Sequence, residues 1–185
     1  MKRFAVIVLC ASMLSGCTTQ GMTGVATSSN AEDIKVNQVS IDGTVLTVPF
    51  EFSEMERVGY KMTDVEFAEI SPNQTCVAYF EDVDGNKLIA SLGTKTEATP
   101  VEETMVVDIL ADTMNTDTTD MKIFGGINFD SSIEEIEKVF GEPSYELENS
   151  LLYTKHIGDV DMACVAIMDG EIIRIETCVS EEYYE

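Results

Sequence analysis

The sequence predicts an α+β fold: two similar small units, each a short helix packed on an antiparallel sheet with Asp-Gly hairpins. Three observations carry this prediction. Asp42-Gly43, Asp84-Gly85 and Asp169-Gly170 each lie between runs rich in β-branched and aromatic residues, and Asp-Gly supplies the positive φ angles that a tight hairpin turn requires. Two short helix patterns each end at a glycine, Gly59 and Gly141. The spacings nearly agree, since Gly59 to Gly141 is 82 residues and Gly85 to Gly170 is 85.

The clearest helix begins at Ser131-Ser132-Ile133-Glu134-Glu135. A serine with a glutamate three residues later satisfies the free N–H groups of a first turn reciprocally. Ile133, Ile136 and Phe140 then share a face. Gly141 ends the helix and Pro143 prevents its continuation. A weaker copy is Ser53-Glu54-Met55-Glu56-Arg57-Val58, stopped by Gly59.

The clearest hairpin pairs Asp161 to Met168 with Glu171 to Val179. A two-residue turn would place Met162, Cys164, Ala166, Ile173 and Ile175 on one face, and Asp161, Arg174, Glu176 and Cys178 on the other. Aligning the two halves sets Val77, Tyr79, Leu88 and Ala90 opposite Met162, Cys164, Ile173 and Ile175. Between the halves, Met105 to Leu110 is read as a strand rather than a buried helical turn.

The N-terminus precedes this folded part and has a different character. Lys2 and Arg3 are followed by an apolar stretch from Phe4 to Leu14 and then by Leu14-Ser15-Gly16-Cys17. The stretch is shorter than the ~20 apolar residues of a membrane-spanning helix and has the length of a secretory core. Leu14 to Cys17 resembles the lipobox read by the lipoprotein signal peptidase. The resemblance implies cleavage before Cys17 and lipid attachment to its thiol, with palmitate among the acyl chains. Small polar residues continue to Asn30 and read as a tether, which from Thr18 to Asp33 would reach about 20–25 Å as a flexible coil. The expected organisation is a signal peptide at 1–16, an acylated cysteine and flexible tether at 17–38, a first α+β unit at 39–115 and a second at 120–185.

Charge narrows the partners. The chain has 34 acidic and 11 basic residues, a net charge of -23, and loss of Lys2 and Arg3 with the signal makes it -25. Phosphate backbones are bound by basic patches, so nucleic acid is excluded as a partner, and bare anionic headgroups are repelled. The expected membrane contact is the N-terminal lipid alone, on the extracytoplasmic face of the cell membrane.

No catalytic apparatus can be read from the residues. His156 is the only histidine; with Gly158 and Asp159 after it, it reads as a loop residue without a nucleophile motif. No metal ligand set and no cofactor is expected. Asp82-Val83-Asp84-Gly85-Asn86 superficially suggests a calcium loop, but its register puts Phe80 at the first ligand position and Ser91 at the twelfth. Asp108, Asp112, Asp117 and Asp120 form a second acidic group, read as a solvated Thr-rich loop. Cys10 leaves with the signal, and Cys76, Cys164 and Cys178 remain; the face assignment above keeps Cys164 and Cys178 apart, so no bridge is expected between them. Ten methionines and no tryptophan point to an adaptable core.

Ile127-x-Phe129-Asp130-x-Ser132-x-Glu134-Glu135-Ile136, then Phe140-Gly141-x-Pro143 and Tyr153, resembles the repeat shared by the small lipoprotein of the outer-membrane β-barrel assembly machine and by β-lactamase inhibitor proteins. The resemblance covers about Gly125 to Cys178 and departs at Phe129-Asp130, where a glycine is often found. It implies a helix-plus-antiparallel-sheet fold that binds other proteins. Val45-Leu46-Thr47-Val48-Pro49 and Gly59-Tyr60 are similar to a group of uncharacterised lipoproteins from Gram-positive bacteria. The function expected is a membrane-anchored, non-enzymatic protein-binding module of the cell envelope, whose partner is another envelope or extracellular protein. A small-ligand- or calcium-binding lipoprotein is the alternative.

Overall fold

The computed structural model describes residues 33–113, 120–159 and 161–179. Cys17, the signal segment and the tether as far as residue 32 lie outside the described residues, as does Asp117. The described chain folds as an antiparallel, sheet-dominated α+β structure with few helices. The predicted fold class is thereby met at this level. Among the described residues, no helix is long and apolar enough to cross a membrane.

The chain opens with strands β1 (Gln38–Ile41), β2 (Thr44–Thr47) and β3 (Phe50–Glu51), then helix α1 (Ser53–Arg57). Strands β4 (Lys61–Val65), β5 (Glu69–Ile70), β6 (Gln74–Glu81), β7 (Lys87–Thr94), β8 (Thr99–Pro100) and β9 (Met105–Asp112) follow. Next come β10 (Met121–Lys122), helix α2 (Ile133–Phe140), β11 (Tyr145–Leu147), β12 (Ser150–Ile157), β13 (Asp161–Met168) and β14 (Glu171–Val179). The large sheet runs in the order β11-β12-β13-β14-β9-β7-β6-β4, and β3 also pairs with β9. A small sheet has the order β10-β1-β2, and β5 pairs with β8.

After each helix, the longer strands pair in chain order. The last strand of each series, β9 and β14, then pair with one another antiparallel. Asp42 and Gly43, with φ of 48° and 78°, form the β1–β2 turn, and Asp169 and Gly170, with 52° and 86°, the β13–β14 turn. Positive φ at both central residues is the type I′ geometry that matches strand twist. Asp84-Gly85 departs from the expected tight turn, because β6 and β7 are joined by the five residues from Asp82 to Asn86. Asp82 Oδ1 accepts from the N–H groups of Asp84 and Asn86, each at 2.9 Å, and Oδ2 accepts from Asn86 Nδ2 at 2.7 Å. The local side-chain bonds set the longer loop.

Ser132 caps α2: its Oγ accepts from Glu135 N–H at 3.3 Å, and Glu135 Oε2 accepts from Ser132 N–H at 2.8 Å. Ile136 and Phe140 are buried beneath α2, whereas Ile133, expected on their face, stays exposed. Glu135, held by Ser132, has its carboxyl lowered from the ordinary value. Met55 is the buried residue of α1, and Phe52 before it meets the Phe80 ring at 5.6 Å.

One continuous core gathers Ala78, Phe80, Leu88, Ala90, Leu92, Ile109, Tyr153, Val165, Ile167 and Ile175 from one face of the large sheet. Met55, Ile136 and Phe140 from the helices, and Val39, Ile41, Leu46 and Met121 from the small sheet, close over that face. Each such large side chain contributes about 1.5–3 kcal/mol on burial. Ile34 and Val36 are buried as well, so the packed chain begins ahead of residue 38. The small sheet joins residues on both sides of position 115, through Ser40 opposite Lys122.

Candidate functional site

The opposite face of the large sheet carries a different set of side chains. In cross-strand rows, Val77, Ser91, Asp108, Cys178, Met162 and His156 lie opposite one another in turn. The next row holds Tyr79, Ile89, Leu110, Glu176, Cys164 and Thr154. Arg174, Ala166, Leu152 and Tyr145 form a third. None of these residues belongs to the continuous core.

This arrangement corrects the expected faces of the last hairpin. Between Ile167 opposite Ile172 and Ala166 opposite Arg174, β14 holds one extra residue, Ile173. That bulge shifts the alternation of β14 by one, so Arg174, Glu176 and Cys178 join Met162, Cys164 and Ala166 instead of opposing them. The reason given for keeping Cys164 and Cys178 apart fails with it. Cys76, Cys164 and Cys178 are all free and buried. Cys164 stands opposite Glu176 and Cys178 opposite Met162, so the two thiols are diagonal rather than facing neighbours.

At the centre of the face, Asp108, Glu176 and Cys178 present ligand atoms that all lie within 4.8 Å of one another. Ser91 Oγ donates to Asp108 Oδ2 at 3.1 Å, while Asp108 Oδ1 is buried and the carboxyl also shares a hydrogen bond with Glu176. Glu176 Oε2 accepts from Arg174 at 2.9 Å and from the Cys164 thiol at 3.6 Å. Burial, followed by the charge of Glu176, pushes the Asp108 carboxyl up to about 7, against the lowering effects of Ser91 and Arg174. Burial and then Glu176 push the Cys164 thiol up to about 12; burial, then Asp108 and Glu176, do the same to Cys178. Both sulfurs are therefore held as neutral thiols at physiological pH, the unreactive form.

Two acidic residues expected in a solvated loop thus stand elsewhere. Asp108 and Asp112 belong to β9, and Asp120 pairs with Lys122 at 3.2 Å. His156, expected in a loop, is an exposed residue of β12 paired with Met162. Glu176, Arg174 and Ser91 were not singled out from the sequence as a site. The usable signal was a charge inside an apolar strand, as in Val106-Val107-Asp108-Ile109-Leu110-Ala111, since such a position is filled by a polar residue only with partners or a task.

A second gathering lies over the buried Tyr60 hydroxyl, which has no hydrogen-bond partner. Desolvation, followed by the charges of Asp42, Asp82 and Asp120, raises that phenol strongly. A shallow cleft of about 420 Å³ lies beside the N-terminus of α2, lined by Phe129, Ile133, Gly170 and Ile172 among others.

Comparison with protein-family models, curated proteins and solved structures finds no match to this chain. The likenesses drawn from the residues therefore stand as expectations.

The raised Asp108 carboxyl has a direct consequence for stability. A carboxyl whose folded value exceeds its unfolded one stabilises the fold fully below the unfolded value, near 3.8, and loses that contribution as pH rises through about 7. Asp108→Asn, which keeps the neutral form at every pH, is expected to be more stable than the parent at pH 8 by roughly 1–3 kcal/mol. The two proteins should converge toward pH 4. Urea unfolding in the presence of a chelator measures this, and a variant less stable than the parent at pH 8 would contradict it.

Proposed function

We propose that this chain is a membrane-anchored extracytoplasmic lipoprotein, acylated at Cys17, whose folded part is a non-enzymatic protein-binding module of the cell envelope. The observation that carries the binding role is the outer face of the large sheet. Val77, Tyr79, Tyr145, Leu147 and Met168 are each between 42% and 58% exposed, and the sheet register sets all five on that face. The helices and the small sheet pack on the other side. A sheet face with exposed aromatic and aliphatic side chains suits a protein partner. The neutral thiols support a non-catalytic reading of the buried cluster.

The element order also supports two similar units, each a helix followed by a four-stranded meander: α1 with β4, β6, β7 and β9, then α2 with β11, β12, β13 and β14. In the proposed alignment Val77 and Tyr79 correspond to Met162 and Cys164, all on the outer face, and Ala90 corresponds to Ile175 on the inner. Superposition of the two halves tests this, and unrelated helix placements over the two meanders would end it.

The binding role is tested by photo-cross-linking in cells, with the reactive residue at Val77 or Met168 and, as control, at Glu134 on α2. The two sheet positions should capture the same protein and Glu134 should not. In the purified pair, Tyr79→Ser should weaken binding about tenfold or more, as loss of an aromatic anchor does. Removing residues 122–185 is not a usable control, because it strips β14 from β9 and opens the core. If no sheet position captures a protein while the purified chain binds or turns over a small molecule, the module reading is wrong.

A further inference from the structure

We propose that Asp108, Glu176 and Cys178, with Cys164 beside them, form a binding site for a thiophilic divalent cation, best matched by Zn2+. The three close donors come from two neighbouring strands, β9 and β14, with Cys164 on the next strand, β13. The ligand atoms of Asp108, Glu176 and Cys178 already lie within 4.8 Å of one another. Zinc bonds of about 2.0–2.3 Å in a tetrahedron set ligand atoms roughly 3.3–3.8 Å apart, so a contraction of about an ångström closes the site. Cys164, whose sulfur is 3.6 Å from Glu176 Oε2, lies outside this mutually close set, which leaves the fourth tetrahedral position to water.

Asp108 Oδ1 is buried, and the Asp108 carboxyl is hydrogen-bonded to that of Glu176, two acidic groups held side by side that a cation would bridge. Cys178, only 8% exposed, stands opposite Asp108 on the next strand. Arg174 is one guanidinium for two carboxylates, and its side chain is 42% exposed, so it can withdraw toward water when a cation enters. The donor chemistry selects the metal, since calcium and magnesium take six or more oxygens whereas thiolates favour zinc. On binding, the Cys178 S–H proton passes to solvent and a sulfur–zinc bond replaces it; no electron is transferred.

The test uses the purified full chain, reduced and stripped with chelator, titrated with Zn2+ against a chromophoric chelator and, separately, with Co2+ to read thiolate coordination by absorbance. One Zn2+ per chain, a thiolate–cobalt band and a rise in melting temperature are expected, with no response to Ca2+. Cys178→Ser and Asp108→Asn should each lose about tenfold or more in affinity, and Cys76→Ser, on the inner face, should retain it. Asp108→Asn serves as the second variant should Cys178→Ser unfold. Absence of Zn2+ binding tighter than about 10 µM, an affinity too weak for a structural site, overturns the proposal. So does unchanged affinity in both Asp108→Asn and a folded Cys178→Ser.

Discussion

Replacing Cys17 with alanine is expected to abolish acylation and to move the protein out of the membrane fraction. The expectation rests on the order Lys2-Arg3, the apolar stretch to Leu14, and Ser15-Gly16 before Cys17. The effect should be near all-or-none, because thioether attachment requires the sulfur that alanine lacks. Each buried methylene contributes about 0.8 kcal/mol, so the two or three chains of a lipoprotein hold firmly where one would exchange. Without them a chain of net charge -25 after signal removal has no attraction to anionic lipid. Metabolic labelling with a fatty-acid analogue, followed by fractionation, measures both parts. Equal labelling of parent and variant would refute the lipoprotein reading, while leaving the zinc and pH predictions untouched.

Gly125→Ala is expected to be the most damaging small substitution in the folded part, destabilising it by roughly 2–5 kcal/mol. Two independent effects add. Gly125 has φ of +67°, the left-handed region, which is unfavourable by about 1–2 kcal/mol for a residue with a Cβ. A Cβ there would also stand 2.5 Å from Val139 Cγ1, 2.9 Å from Cγ2 and 3.3 Å from Cβ. Valine is short and branched, so it cannot swing aside as a long chain would. Helix α2 would have to shift, and it is seated by Ile136, by Phe140 and by the edge-on Phe124–Phe140 ring contact at 5.6 Å. Overpacking of this kind adds about 1–3 kcal/mol. Urea unfolding gives the loss, and Val139→Ala in the same chain should restore the packing part. A loss below about 1 kcal/mol would contradict the expectation.

Gly125 also shows where reading the sequence stops. The Gly125-Gly126 pair marks a turn, but nothing beside it shows that Gly125 has no room for a side chain, because that constraint is a helix residue 14 positions on. By contrast, the Asp42-Gly43 and Asp169-Gly170 turns and the Ser132 cap were legible, since each is settled by residues within one turn of chain. Strand β9 was legible from its β-branched run. The candidate site was not, and the reason is a single residue. Ile172 and Ile173 are both isoleucines, so no polar–apolar break shows which of them is the extra one. One unmarked bulge carries Arg174, Glu176 and Cys178 across the sheet. Neighbouring Asp108 then depends on β14 pairing with β9, a contact made over more than 60 residues of chain that local periodicity does not encode.

The position of β14 bears on when this protein can fold. It is the last described strand, yet both of its neighbours, β13 and β9, precede it in the chain. The β9 edge from Asp108 to Asp112 therefore waits for partners at Arg174 to Cys178. Chains emerge at about 5–20 residues per second, so that edge stays open for several seconds after β9 itself appears. An open edge invites wrong pairing, and Asp108 and Asp112, a charge at each end of the waiting segment, oppose it. For the extracytoplasmic destination proposed for this chain, late closure has a use: the sheet cannot lock until the segment ending at residue 178 is in place.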